Sequence, residues 1–229
     1  MADIKRTISC RNTRFTVLVF TMFTSFSVLS ETKISNKSLE NTKVYSVEKS
    51  TEILYEAKAT WVADFFEMYI LQGHPSQLGS LKIDSRSVTA FDESGNLQWQ
   101  DQRKPSDKLC IPELFSEFIR AHADTLQRGE AIKCLGPVLK AKKLAPFEVS
   151  FEGNKNGQHV YHIGPGSIGM WFFLDTIEIH FSADMEHLTF YSGTTPAPIG
   201  INQSMEYLTF TGKISDENKI APITDSPLW

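Results

Sequence analysis

Residues 146–169 read PFEVSFEGNKNGQHVYHIGPGSIG, and the parsing of this stretch decides between two unrelated folds. Its end holds Gly164-Pro165-Gly166-Ser167-Ile168-Gly169, a literal G-x-G-x-x-G. As a dinucleotide fingerprint, that pattern needs a parallel strand running into a long helix whose free N–H groups meet a pyrophosphate. The front half points elsewhere. Phe147, Val149 and Phe151 fall on one face of an extended chain and Glu148, Ser150 and Glu152 on the other, with a turn at residues 154–157. One apolar and one polar face mark an antiparallel sheet wetted on one side. Pro165 removes an N–H from the glycine turn, and strand alternation resumes by Thr176. The glycines are therefore read as a strand break, followed by a short apolar helix over about 167–174.

The same alternation recurs on both sides. Ile177, Ile179 and Phe181 oppose Glu178 and His180; Leu188 and Phe190, then Leu208 and Phe210, mark two further strands. VTAFDESGNLQWQ places two alternating runs around Ser94-Gly95, a hairpin signal. ILYEAKATWVADFFEMYIL, residues 53–71, is ambiguous in period, and its aromatic content favours strands. One helix stands out over about 112–128. Pro112 suits its first position and Glu113 its dipole, an apolar stripe includes Leu114, Phe115, Phe118, Ile119 and Leu126, and Gly129 closes it. The expected class is α+β: one strongly curved, half-barrel-like antiparallel sheet of about eight strands packed on that helix.

The N-terminus is set apart by charge. Residues 1–14 carry Lys5, Arg6, Arg11 and Arg14 against Asp3, and residues 15–30 are uncharged and largely apolar. This layout predicts a signal peptide over 1–30 and an exported, periplasmic or secreted chain with no membrane span left after cleavage. Residues 31–43 read as a flexible leader, 44–214 as one domain and 215–229 as a tail. Loss of residues 1–30 takes four of the 23 Lys+Arg and one of the 27 Asp+Glu, leaving a formal charge of −7. That balance disfavours a nucleic-acid partner. Cys110 and Cys134 then remain, either bridged across a loop of about 25 residues or as two separate buried thiols.

No catalytic motif is present: G-x-S-x-G and H-E-x-x-H are absent, and Ser46-Val47-Glu48-Lys49 lacks the companions of an S-x-x-K enzyme. His180 and His187, with Glu178 and Glu186, are read as the wet face of a sheet rather than a metal site, and no cofactor is implied. What remains is an aromatic excess. Phe115, Phe118, Trp171, Phe172 and Phe173 are the candidate lining of a sheet–helix cavity for a hydrophobic, lipid-like ligand. The alternatives are a filled core, or an envelope module that contacts another protein.

FSEFIRAHADTLQRGE (115–130), LAPFEV (144–149) and HLTFYSG (187–193) together resemble a group of uncharacterised exported bacterial proteins, the likeness covering about residues 105–214. It brings no activity or site residues. In layout alone the chain is similar to the periplasmic lipoprotein carriers, half-barrels that wrap an antiparallel sheet around helices, and this implies the same kind of concave apolar interior.

Overall fold

The computed structural model describes residues 32–39, 42–62, 65–167, 175–200 and 206–214, together with Leu228. The expected signal segment, all but the first residue of the short helix at 167–174 and most of the C-terminal stretch therefore lie outside the described residues. The described chain is mostly β. Strands β1 (Thr32–Leu39), β2 (Thr42–Lys49), β3 (Glu52–Val62), β4 (Phe65–Gln72), β5 (Gly79–Ile83), β6 (Ser87–Asp92) and β7 (Leu97–Gln102) form one sheet in chain order. A second contains β8 (Ile132–Val138), β9 (Lys143–Lys155), β10 (Gln158–Pro165), β11 (Ile177–Phe181), β12 (Leu188–Pro198) and β13 (Tyr207–Lys213). Every strand in both sheets pairs antiparallel with its chain neighbour.

The single half-barrel is thus corrected to two open sheets, neither closed nor strongly curled. The cause is the long connection from β7 to β8. Tight turns let each strand fold back on its predecessor, whereas the helical segment between Gln102 and Ile132 cannot make a hairpin, so β8 starts a new ladder. The leader is corrected as well. Residues 32–39 pair with β2 in unbroken register from Thr32↔Lys49 to Leu39↔Thr42, and Ile34 is buried. The glycine motif behaves as the alternation requires: Gly164 and Pro165 end β10 opposite Glu148 and Phe147 of β9, with no parallel strand beside them.

The expected helix is present but subdivided. A 3₁₀ turn at Pro112–Leu114 leads into α1 (Phe115–Ala121), and α2 (Ala123–Gln127) follows a break at His122. His122 has φ −117° and ψ 12°, and its N–H reaches back to the Ile119 carbonyl, a tighter turn than an α-helix makes. Gly129, at φ +86°, donates its N–H to the Leu126 carbonyl and ends the segment as expected. Leu114, Phe115, Phe118, Ile119 and Leu126 are all buried and share one apolar core with the inner faces of both sheets.

That segment is held differently on its two sides. Toward the first sheet the links are polar: Lys43 of β2 pairs with Glu117, both side chains fully buried, and Ser116 donates to the same carboxylate at 2.8 Å. Toward the second sheet they are chiefly covalent and aromatic. Cys110 and Cys134 form a disulfide, Phe115 packs edge-on to Phe147 of β9, and the Arg120 guanidinium lies 5.5 Å from the Phe181 ring. Gln127 adds a hydrogen bond to the Tyr161 hydroxyl at 3.0 Å. Beside the disulfide only glycine fits at Gly136, where a Cβ would meet Phe147 Cε2 at 2.6 Å and the Cys110 carbonyl at 2.9 Å. Leu109 runs alongside Leu135 and donates its N–H to the Leu228 carbonyl at 2.8 Å, and Leu228 is buried in the core.

A buried ion pair stabilises little on balance, but losing one member costs about 3–5 kcal/mol because a charge stays desolvated. Glu117→Gln is expected to lose that much in urea unfolding, while Lys43→Met combined with Glu117→Leu recovers most of it. Equal losses in the single and double variants would show that packing, not charge, holds the contact.

Candidate functional site

The region between helical segment and sheets is mostly filled. Phe118, Ile119 and Leu126 are fully buried, and Phe118 stacks edge-on against the His122 ring at 4.7 Å. Its leading end, Pro112 to Phe115, borders open space. There a cleft of about 80 Å³ is walled by Met68 of β4, Phe115, Phe147 of β9, Ile177 of β11 and Tyr207 of β13, with Glu113 and Gln77 among its polar members. A wider basin of about 200 Å³ lies beside it against Phe91, Trp99, Asp92, Gln98 and Lys142. Gln77 and Leu139 belong to both walls, so the two form neighbouring parts of one groove between the sheets. Gln77 is held in place: its Oε1 accepts from the His74 N–H at 3.0 Å and its Nε2 donates to the Pro196 carbonyl at 2.9 Å.

Of the five residues proposed as lining, Phe115 borders the cleft and Phe118 does not, because it points into the packed part of the core. Trp171, Phe172 and Phe173 lie outside the described residues; Asp175, two positions beyond Phe173, lines the cleft.

The chemistry centres on Glu113. Tyr55 of β3 donates its hydroxyl to Glu113 Oε1 at 2.5 Å, while Oε2, equally buried, has no hydrogen-bond partner among the described residues. Burial raises the carboxyl above the ordinary glutamate range; the Tyr55 hydrogen bond and the local backbone N–H only partly offset this. The phenols respond in turn. Burial first, and then the Glu113 charge, push Tyr55 and Tyr191 up; burial, then Tyr191 and Glu113, raise Tyr45, and burial pushes Tyr207 up to about 12. These tyrosines come from β2, β3, β12 and β13, so the carboxyl sits where the two sheets and the helical segment meet. Sequence reading gave Glu113 a dipole role at a helix start. The available signal was its spacing of four from Glu117, which puts two carboxylates on one helical face.

The histidine constellation is rearranged. His180 does not meet His187; its Nε2 contacts Glu178 Oε1 at 2.5 Å, and His162 Nε2 reaches the other oxygen at 3.3 Å. Both imidazoles help hold the Glu178 carboxyl below its usual range, His180 foremost. A bulge beside His180 explains the change, since it shifts β12 so that Phe190, not a core position, lies opposite that residue and stacks on it at 4.5 Å. Among the described residues no group of three or more His, Cys, Asp or Glu is arranged to hold a metal ion. No helix among them is long and apolar enough to cross a membrane.

No protein family, curated protein or solved structure matches this chain.

Because folding raises the Glu113 pKa, the folded chain keeps that proton over a pH range in which the unfolded chain has released it. Stability accordingly falls as pH rises from the ordinary carboxylate range through the raised value, and is level above it. Glu113→Gln keeps an acceptor for Tyr55 and is expected to flatten that fall. Urea midpoints from about pH 4 to 9 measure it; superimposable wild-type and variant profiles would contradict the buried carboxyl.

Proposed function

We propose that this is an exported, non-catalytic binding protein that takes a small amphipathic ligand in the groove between its two sheets. The observation that carries this reading is the pairing of an apolar cleft with a more polar basin across the shared wall of Gln77 and Leu139. Such a pairing suits a molecule with unlike ends. The cleft also limits the ligand. An engineered apolar cavity of about 150 Å³ admits benzene, so the roughly 80 Å³ here suits a compact group and not a full-length acyl chain. The disulfide supports an oxidising compartment, in keeping with export.

The rival reading, an envelope protein-contact module, draws on a different feature. Alternation along β4 leaves Phe65, Tyr69 and Leu71 exposed while Phe66, Met68 and Ile70 are buried. This exposed row is short and interrupted by the charged Glu67, which pairs with Lys82 at 3.2 Å, so the groove is preferred.

Leu139→Trp should fill the junction of cleft and basin without entering the core. With the neutral fluorescent amphiphile N-phenyl-1-naphthylamine as probe, saturable binding to the native protein and its loss in the variant, at unchanged Tm, are expected. No saturable binding, or equal binding by both proteins, would remove the groove from consideration.

A further inference from the structure

We propose that the cleft beside Glu113 recognises an organic cation, specifically a methylated ammonium head group, as one end of the amphipathic ligand; this rests on the groove being the binding site. Charge sets the sign. The cleft wall carries two carboxylates, Glu113 and Asp175, and no Lys, Arg or His among the described residues. An anion would meet repulsion there, and a neutral chain would gain nothing from a buried acid.

The aromatic content points the same way. Phe115, Phe147 and Tyr207 are three of the walls, with Phe115 and Phe147 edge-on at 6.2 Å. Aromatic rings around a quaternary ammonium attract it through their quadrupoles, most strongly where water is excluded. The Glu113 carboxyl, on the cleft wall, then has a positive charge nearby.

Methylation follows from counting acceptors. A primary ammonium brings three N–H donors, and beyond its two carboxylates the cleft offers them little. Gln77 is committed to His74 and Pro196, and Thr195 donates to the Leu208 carbonyl at 2.9 Å. Glu113 Oε2 is the one buried side-chain oxygen of the cleft without a hydrogen bond among the described residues, so donors left over would be desolvated at a cost. A trimethylated head has no donors to satisfy.

Titration calorimetry with choline and its uncharged carbon isostere, 3,3-dimethylbutan-1-ol, separates charge from shape. At about pH 8 the native protein is expected to bind choline at least about tenfold more tightly than the alcohol. The preference should shrink as pH falls through the Glu113 titration, because the cation favours the carboxylate, and Glu113→Gln should abolish it. The comparison on native protein needs no variant to fold. Equal affinity for the two compounds overturns the cation proposal and leaves the groove reading standing. Choline failing to bind while N-phenyl-1-naphthylamine binds does the same, and failure of all three probes overturns both.

Discussion

Two antiparallel meanders, each apolar on one face, stay together here because a single helical connection is fastened to both. Its carboxylates Glu113 and Glu117 engage Tyr55 and Lys43 of the first sheet; its disulfide and aromatic rings engage the second. Directional polar contacts set the position of the connection on one side, and covalent and close-packed contacts set it on the other. The sheets also meet directly: their inner faces share one apolar core, and the Leu144 N–H to Asp101 at 2.6 Å and Gln77 to Pro196 join them by hydrogen bonds.

The groove is a by-product of this arrangement. Past α1 the apolar stripe fills the interior, but the 3₁₀ turn at Pro112–Leu114 is narrower and carries a buried acid. A carboxyl at that point cannot pack as closely as leucine, and its desolvation destabilises the free protein. Retaining it makes physical sense where something else benefits from the charge. The surrounding phenols stay protonated, so they act as neutral donors and apolar surface and leave Glu113 as the group that sets the charge of the cleft.

Much of the strand content was legible because buried positions alternate: Phe147 and Val149 of β9, and Ile177 and Ile179 of β11, face the core as their spacing indicates. The hairpin at Ser94-Gly95 was legible through its glycine, which adopts φ +82°. Three features were not. The edge strand β1 has few apolar residues because a single partner supplies its ladder, so Ile34 was the only strong clue in a polar run. The inward turn of Tyr191 depends on a bulge, and a one-residue insertion in pairing leaves no mark in periodicity. The division into two sheets depends on which strands fail to pair, which local pattern does not encode. At the site, Phe115 was within reach of reasoning from aromatic excess, whereas Glu113 was hidden by an equally good helix-start explanation.

The meander order has a consequence for how the chain acquires its shape. Since each strand pairs with the one made just before it, both ladders can be zipped hairpin by hairpin without distant segments having to search for one another. Such local topology favours rapid assembly. The slow, long-distance event is left to the union of the two preformed halves around the connection, with oxidation of Cys110 and Cys134 locking in the later half.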